Sequence, residues 1–409
     1  MVKSIDENGK KTVVFMFPMS LTEQDISNFG INYLSQKGYH VYVWNLSPLL
    51  NKKLACFISN RKNNINYVHV TNYKYFNNLL MELFDNSVFI DLFVGLSAIT
   101  WKTEKVYRML RHYNILYFIV SLAATPIPNI PKSDNGLIKK IIWKLKHTPS
   151  INLKYFLDII SSKFILFLKK HADIYPIPAR IFGGDSEIID LYLKRHNYDK
   201  NNITYIHSMD YDRYLDYLER VNYQQPKLDM TCVLLDDMPT NHPDGLLTNT
   251  PLVDEKNYFY SMNQLFMKIE KELGLRVIIA AHPRSNYEDM PDVFGGREII
   301  KGKTPDLVAK SSLVIMHNST SVSFAILFKK PIMVAATSDM NVNVYTMASA
   351  LRCEVIKVDN DEHMKNLDLT KYKRPNANYD EYLYKYIKSK KAPEKKVWEI
   401  VEEELHEII

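Results

Sequence analysis

The sequence predicts an α/β protein made of two consecutive domains, each built on a parallel sheet. Its 409 residues are enough for two compact domains at about 100 to 200 residues per domain. Short apolar runs alternate with helical patterns, which is the order of βαβ units. The alternation stops at a polar, proline-containing stretch, 223–227 (YQQPK), and then restarts. We therefore interpret this stretch as the linker between the domains.

The first predicted domain covers residues 1–224 and opens with the apolar run 12–17, which ends at Pro18. A helical pattern follows and stops at Gly38. The predicted strands of this domain are 12–17, 40–44, 88–94, 115–120, 173–176 and 203–207. The predicted helices are 22–37, 72–84, 104–113 and 211–221.

The second predicted domain covers residues 225–392 and alternates more regularly. Its predicted strands are 231–235, 277–281, 313–316, 332–335 and 355–358. Its predicted helices are 254–273, 304–310, 320–328 and 341–351. The charged tail has a helical period, so residues 393–409 are predicted to pack back across the domain junction onto the first domain. Ligands of such folds bind at the carboxyl ends of parallel strands, which predicts a cleft there.

The composition excludes a disordered chain and a multi-span membrane protein. Hydrophobic residues make up 46% and charged residues 24% of the chain, which is close to ordinary globular usage. The N-terminus lacks the apolar core of a secretory signal, and no uncharged run reaches about 18 apolar residues. The three cysteines are far apart and form no zinc-binding pattern. These observations predict a protein of the cytoplasm.

Glycine-rich phosphate loops are absent from the sequence. It holds only 12 glycines, and neither GxGxxG nor GxxxxGK[ST] occurs among them, so a phosphate would have to be bound by other groups. The net charge of +6 does not by itself predict nucleic-acid binding.

The positive charge is concentrated in segment 132–170, which holds nine lysines and two aspartates. Lysines and large apolar residues fall on different faces of its helical patterns, as in helices that lie on an anionic membrane surface. A pair of ordinary surface helices with lysine-coated outer faces explains the pattern equally well. Nucleic-acid binding is a weaker interpretation, because the aromatic residues follow helical spacing rather than forming a stacking platform.

Two adjacent carboxylates follow the first strand of the second domain. Asp236 and Asp237 end this strand, and His242 and Asp244 come soon after. A carboxylate at the carboxyl end of a strand points into the cleft, where it can act as general base on a hydroxyl. Asp followed by Pro, Asn, His and Gly is also typical of a capped turn. Asp236 and Asp237 could alternatively form a metal pair.

The next strand delivers His282, Pro283 and Arg284 to the same edge of the sheet. A single histidine at a strand end is more often a packed or turn residue than a catalyst. Here the histidine and the arginine could together neutralise a phosphate, the arginine through its fixed charge and the histidine as hydrogen-bond donor or proton source.

Polar residues also follow strand 313–316, where His317, Asn318, Ser319, Thr320 and Ser321 lead into an apolar helix. Free backbone N–H groups and hydroxyls at such a helix start can bind an anion. Plain N-capping is the simpler explanation, although it needs only one hydroxyl.

A second predicted helix start lies upstream in the same domain. Thr304 is expected there as the cap of a helix with Pro305 in its first turn, and it could add a phosphate or nucleotide contact.

In type and order, these motifs resemble those of bacterial sialyltransferases, polysialyltransferases and related capsule or lipopolysaccharide transferases. That group has an acidic D/E-D/E-G motif, a His-Pro and a Ser-Ser/Thr pair, which correspond here to 236–237, 282–283 and 319–321. The resemblance implies the GT-B fold, with Asp237 as general base, His282 on the leaving phosphate, and Ser319 and Thr320 binding that phosphate. Similar short motifs occur loosely in glycerophosphate transferases of teichoic acid synthesis and in UDP-sugar epimerases.

One position departs from the motifs of this group. Met238 stands where the motif has glycine, and a further carboxylate, Asp244, precedes Gly245. The base therefore stays open among Asp236, Asp237 and Asp244.

The function expected from this resemblance is that of an inverting, metal-independent glycosyltransferase. It would move a sialic or other nonulosonic acid, or Kdo, from a CMP-activated donor to a hydroxyl of a glycan or lipid-linked glycan, without a further cofactor. Segment 132–170 would hold it at the inner face of the cell membrane, and no nucleic acid is expected as partner. The alternatives are a CDP-glycerol-type polyol phosphate transferase and a non-catalytic membrane-surface binding protein with a transferase fold.

Overall fold

A computed structural model of the protein describes residues 11–50, 66–83, 87–97, 99–128, 160–161, 164–165, 167–168, 174–196, 198–224, 226–242 and 252–408. In this part of the chain, all strand pairs are parallel and form two sheets. The sheets follow one another along the chain, as the sequence predicts.

The first sheet has seven strands in the order β3-β2-β1-β4-β5-β6-β7. They are β1 (Thr12–Phe17), β2 (His40–Asn45), β3 (Asn66–His69), β4 (Ser87–Asp91), β5 (Leu116–Val120), β6 (Arg180–Gly183) and β7 (Ile203–Tyr205). The helices between them are α1 (Glu23–Asn28), α2 (Ile31–Gln36), α3 (Ser47–Leu50), α4 (Tyr73–Leu83), α5 (Glu104–His112) and α6 (Glu187–His196), with a short 3₁₀ turn at Lys200–Asn202.

The second sheet has six strands in the order β10-β9-β8-β11-β12-β13. They are β8 (Thr231–Leu235), β9 (Arg276–Ala281), β10 (Glu298–Lys301), β11 (Leu313–Met316), β12 (Ile332–Ala336) and β13 (Val355–Lys357). The helices are α7 (Met209–Arg220), α8 (Glu255–Leu273), α9 (Thr304–Lys310), α10 (Val322–Leu327), α11 (Val342–Leu351), α12 (Asp361–Asn366), α13 (Tyr379–Tyr382) and α14 (Val397–Ile408). Two 3₁₀ turns, Tyr287–Asp289 and Leu369–Lys373, and one π turn, Leu383–Ile387, complete this half.

The first predicted helix, 22–37, is interrupted. It forms as α1 and α2, because Gly30 between them adopts a left-handed conformation with φ of 67°. A continuous α-helix requires φ near −63°, so the chain changes direction there. Thr22 and Asp25 cap α1 reciprocally through their side chains and backbone N–H groups.

One predicted strand was wrong, and three observed strands, β3, β6 and β10, were not predicted. The residues of 173–176 that are described belong to no strand, and β6 begins only at Arg180. Pro176 and Pro178 lack the N–H that a sheet ladder needs. The sequence analysis also missed β3 and β10, the strands at one edge of each sheet, whose residues stay exposed or partly exposed and therefore show no continuous apolar run.

The C-terminal helix packs on the first sheet, as predicted. α14 places Trp398 and Val401 in the same buried cluster as Val13 and Phe15 of β1. The indole Nε1 of Trp398 donates to the backbone carbonyl of Asn28 at 2.8 Å. The last described helix thus completes the core of the first half.

Helix α7 joins the two halves. Its Tyr211 belongs to the buried core of the second sheet, whereas Met209 at its start packs against the core of the first sheet. The Met209 N–H donates to the carbonyl of Leu122 at 2.8 Å, and the Ser208 N–H donates to the carbonyl of Ile387 at 2.7 Å. These contacts fix the carboxyl edges of the two sheets on either side of a cleft. The predicted boundary at 224 and 225 stays a prediction.

Candidate active site

Three adjoining cavities occupy the cleft. The C-terminal cavity, of about 530 Å³, lies at the carboxyl edge of the second sheet, and the N-terminal cavity, of about 460 Å³, lies at that of the first sheet. The central cavity, of about 250 Å³, lies between them. The C-terminal cavity is lined by, among others, Asp237, His242, His282, Ser319, Thr320 and Asn341. His282, Ser319 and Thr320 also line the central cavity.

Asp236 is engaged entirely within the protein. Its Oδ1 accepts from the N–H of Met238 at 2.9 Å and from the hydroxyl of Tyr287 at 3.1 Å. Its Oδ2 accepts from the N–H of His282 at 3.1 Å. Burial, with a smaller contribution from the neighbouring Asp237, raises the pKa of Asp236 to about 6. Asp236 therefore ties the end of β8 to the end of β9 and fixes the backbone of His282.

One carboxylate oxygen of Asp237 is available to a ligand. Its Oδ2 accepts from the N–H of Asn318 at 3.2 Å, which links the ends of β8 and β11. Its Oδ1 is buried and has no hydrogen-bond partner among the described residues. A buried acceptor without a partner is costly. Since Asp237 lines the C-terminal cavity, a hydroxyl of a bound ligand would satisfy this oxygen.

His282 is a neutral hydrogen-bond donor at this site. Its Nδ1 accepts from the backbone N–H of Arg284 at 3.2 Å, so the neutral ring carries its hydrogen on Nε2. Burial, together with the nearby His242, Arg284 and Lys301, lowers the pKa of His282 to about 3. At pH 7 the ring therefore offers an N–H group and no formal charge.

Arg284 forms an ion pair across the cleft. Its Nη2 lies 2.6 Å from Oδ2 of Asp25 in α1, with the two side chains 22% and 10% exposed. Both residues line the central and N-terminal cavities. The arginine that the sequence places beside a phosphate is thus bound to the first half of the molecule in this structure.

The hydroxyl cluster 319–321 lies where the C-terminal and central cavities meet. Ser319 and Thr320 line both cavities, and Ser321 lines the central cavity. The hydroxyls of Thr320 and Ser321 make no hydrogen bond within the described part of the chain, while Ser319 Oγ accepts from the Ser321 N–H at 3.3 Å. The helix that follows, α10, has only six residues. Hydroxyls and turn N–H groups, rather than a long helix dipole, are the groups available to a phosphate.

His317 lines the C-terminal cavity, but its ring is held by contacts within the protein. Its Nδ1 lies 2.7 Å from the carbonyl oxygen of Ala335, and its Nε2 lies 2.9 Å from the hydroxyl of Tyr258. Because a carbonyl only accepts, Nδ1 carries the hydrogen and Nε2 accepts from the tyrosine. Both ring nitrogens are therefore occupied. The residue holds the end of β11 against β12 and α8, and so positions Asn318.

Met238 adopts the conformation that a glycine favours. Its φ is 55°, in the left-handed region, and its side chain is buried. This is the position at which the resembled motif has glycine. The turn after β8 therefore keeps a glycine-like backbone although the side chain differs, at a cost of about 1 kcal/mol in local strain.

Thr304 and Asp244 were also predicted to belong to the site. Thr304 lines the central cavity. The helix covers 304–310 as predicted, but Lys303 stands at the cap position, so Thr304 is the first residue of α9 and not its cap. Asp244 lies outside the described residues, within 243–251.

Sequence reasoning missed several residues that line the cavities. Thr125, which follows β5, and Asp339, Asn341 and Asn343, which follow β12, line the C-terminal cavity. His242, named in the sequence only as part of a turn, lines both the C-terminal and the N-terminal cavity. The available signal was position, since polar residues follow the predicted strands 115–120 and 332–335.

Further features were sought in the described part of the chain. Its residues include no group of three or more His, Cys, Asp or Glu side chains placed to hold a metal ion. Its helices include none with the length and apolarity needed to cross a bilayer. Segment 132–170 lies outside the described residues except for six residues between 160 and 168.

Comparisons with known proteins identify the fold. No protein-family model and no curated protein matches the chain. Two structures of the wall teichoic acid polymerase TagF are similar: one is 10% identical with a TM-score of 0.52 and covers 98% of this chain and 89% of its own. The other is 12% identical with a TM-score of 0.50 and covers 97% and 89%. S. aureus MnaA with UDP is 13% identical over 91% of this chain and 93% of its own. Its TM-score of 0.47 is too low to support a conclusion about the fold.

Together with the two parallel-sheet domains, the likeness to TagF shows the GT-B fold predicted from the sequence. At such low identity the likeness concerns the fold alone.

Proposed function

We propose that this protein is a glycosyltransferase that moves a sugar from a nucleotide-activated donor to a hydroxyl group, by inversion and without a metal ion. The observation that carries the proposal is the convergence of Asp237, His282, Ser319 and Thr320 on one cavity of about 530 Å³. These residues follow three different strands, and the volume is typical of a small-molecule site. They combine an acceptor for a hydroxyl with several donors for a phosphate.

The phosphate of the donor would lie between His282 and the hydroxyl cluster. The Nε2–H of His282 and the hydroxyls of Ser319 and Thr320 stabilise the charge that develops on the leaving phosphate oxygen. Asp236 and His317 position these groups through the hydrogen bonds described above. Asp237 Oδ1 accepts a hydroxyl of the bound substrate.

The identity of the donor rests on the resemblance of the three motifs to CMP-sugar transferases. We propose a CMP-activated sialic, other nonulosonic acid or Kdo donor, and a glycan or lipid-linked glycan of the cell surface as acceptor. The acceptor would occupy the N-terminal cavity, which faces the C-terminal cavity across the cleft.

A CDP-linked polyol phosphate transferase is the second candidate. The similarity in fold to a wall teichoic acid polymerase favours it, and the same His and Ser/Thr groups would serve a phosphoryl transfer. In that reaction the acceptor hydroxyl attacks phosphorus and CMP leaves, whereas in the first candidate the hydroxyl attacks the anomeric carbon.

Titration calorimetry with CMP, CDP and UDP, first without metal and then with magnesium, tests the proposal. We expect CMP to bind without metal, and His282→Ala to weaken CMP binding by about tenfold, as expected for loss of one hydrogen bond to a charged group. His112→Ala, an exposed histidine at the end of α5, is the matched control and should bind CMP like the wild type. Binding of UDP alone, or of no nucleotide, would contradict the CMP-sugar assignment.

Consumption of the donor separates the two candidates. Release of CMP from CMP-N-acetylneuraminate or CMP-Kdo supports the glycosyltransferase. Release from CDP-glycerol alone supports the polyol phosphate transferase.

We also propose that segment 132–170 binds an anionic membrane at the inner face of the cell membrane. The described residues at its end support this, since Ile160, Phe164 and Phe167 are 49%, 61% and 59% exposed and have helical spacing. Sedimentation with anionic and neutral vesicles tests it, and replacing Lys163, Lys169 and Lys170 by glutamine should weaken anionic binding only. Vesicle binding without any nucleotide binding would instead support a non-catalytic membrane protein.

A further inference from the structure

His242 lies between the two large cavities of the cleft. It is the residue of the second half that lines both the C-terminal cavity and, beside Arg284, the N-terminal cavity. Its ring centroid lies 5.0 Å from that of His282, with the rings inclined at 66°. Two imidazoles thus stand side by side, one next to the hydroxyl cluster 319–321 and one facing the cavity of the first sheet.

We propose that His242 is the general base that takes the proton from the acceptor hydroxyl. The inference rests on the proposed function and assigns a residue that the resemblance to sialyltransferase motifs does not include. An inverting transfer needs a base on the acceptor side and a charge-stabilising group on the leaving-group side of the reacting carbon. His282 also lines the central cavity beside the hydroxyl cluster that would hold the phosphate, and His242 also lines the N-terminal cavity that would hold the acceptor.

The aspartates at the end of β8 are less suited to this role. Asp236 already accepts three hydrogen bonds and is only 4% exposed. Asp237 lines the C-terminal cavity, but it does not line the N-terminal cavity, where the acceptor would bind. Among the described residues of the turn that follows, His242 reaches that cavity.

The step balances with groups on the protein. As the acceptor oxygen bonds to the anomeric carbon, its proton passes to a ring nitrogen of His242. The bond from the anomeric carbon to the phosphate oxygen breaks, and its electron pair stays on the phosphate of CMP. The Nε2–H of His282 and the hydroxyls of Ser319 and Thr320 stabilise that charge. The proton on His242 then passes to water.

The test compares His242→Ala, His242→Gln and the control His112→Ala in two measurements, CMP binding by calorimetry and consumption of the CMP-sugar that the wild type uses. We expect both His242 variants to bind CMP within about twofold of the wild type and to lose about 10²- to 10⁴-fold in turnover, the usual contribution of a general base. Added imidazole should restore His242→Ala by about tenfold or more, since it can replace the missing base. A purely structural role would give no rescue.

Other outcomes overturn the inference in distinguishable ways. Turnover of both His242 variants within about tenfold of the wild type contradicts His242 as the base and leaves the proposed function standing. Loss of CMP binding in both variants without rescue assigns His242 to structure or nucleotide binding. If Asp237→Asn, and not His242→Ala, binds CMP but loses turnover, the base is Asp237. A wild type that binds no nucleotide and consumes no donor contradicts the proposed function itself.

Discussion

The two sheets carry similar aspartates at their carboxyl edges but use them differently. Asp91 in β4 accepts from the N–H of Phe93 at 2.9 Å and from the hydroxyl of Tyr107 at 2.5 Å, both in the segment that follows. Asp236 after β8 makes the equivalent contact to Met238, but it also accepts the N–H of His282 from a neighbouring strand. In the first half the aspartate stabilises a local turn, whereas in the second half the aspartate links the ends of two strands.

This difference indicates that the two sides of the cleft have different roles. In the second half, hydrogen bonds between strand ends fix His282 and Asn318 relative to one another. The N-terminal cavity is lined largely by apolar residues. We therefore expect reaction geometry to depend on the second half and acceptor fit on the first.

The largest loss of stability is expected at Gly30, where α14 packs on the first half. A Cβ at Gly30 would overlap the indole ring of Trp398, and the residue has φ of 67°. Gly30→Ala should lower the free energy of unfolding by about 3 kcal/mol, from left-handed strain plus overpacking. Scanning calorimetry should show a shift of the melting temperature of several degrees.

Gly274 provides the matched control in the second half. It caps α8 with φ of 66°, and a Cβ there would meet no atom within 4 Å. Gly274→Ala should therefore lose only the conformational part, about 1 kcal/mol. Equal shifts for both variants would contradict the packing of α14 on the first sheet.

The next effect separates the two aspartates. Asp236→Asn places an amide N–H against a backbone N–H of His282 or Met238, because both carboxylate oxygens accept from N–H groups. The loss should be about 2 kcal/mol, with weaker CMP binding. Asp91→Asn should lose less than about 1 kcal/mol, since the hydroxyl of Tyr107 can reverse and accept from the amide. Thermal unfolding of both variants checks the prediction, and a larger loss for Asp91→Asn would contradict it.

Asp236→Asn should also change how the free energy of unfolding depends on pH. The pKa of Asp236 in the folded protein, about 6, lies above its ordinary value of 3.8. The folded state therefore binds the proton more tightly, and this contribution to stability is present below pH 4 and is lost as the pH rises to about 6. In Asp236→Asn this decline should be absent, as measured by the difference between unfolding free energies at pH 4 and pH 7. If the wild type and Asp236→Asn show the same difference between pH 4 and pH 7, the pKa of Asp236 is not raised in the folded protein.

The smallest effect is expected at the contact between the halves. Asp25→Asn keeps an acceptor for the N–H of Thr22 but removes the charge paired with Arg284, so the loss should be about 1 kcal/mol. High salt should reduce this loss only in part, because the two side chains are largely buried. Glu298→Gln, in the exposed pair with Arg276 within the second half, is the control. A loss well above 1 kcal/mol would mean that this contact holds the cleft closed.

Local pattern was enough to predict the strands that carry the site. Buried apolar runs identify β8, β9 and β11, so the positions of Asp236, His282 and His317 at strand ends follow from the sequence. Their partners do not follow, because the ring contacts of His317 come from α8 and β12. Only the assembled fold shows that this ring is occupied.

Contacts between distant segments explain the remaining misses. Arg284 was assigned to a phosphate, but its partner Asp25 lies 259 residues earlier. The left-handed Gly30 between α1 and α2 packs against Trp398, which no local window contains. The edge strand β10 lacks the burial that produces an apolar run.

The packing of α14 on the first sheet also sets an order of events during synthesis. The hydrogen bond from Trp398 to Asn28 joins residues 370 positions apart. At about 5 to 20 residues per second, translation of that stretch takes roughly 20 to 70 s. Throughout this interval the face of β1 that carries Val13 and Phe15 lacks its final cover on the ribosome. We therefore expect the first half to reach its full stability only after α14 has left the ribosome.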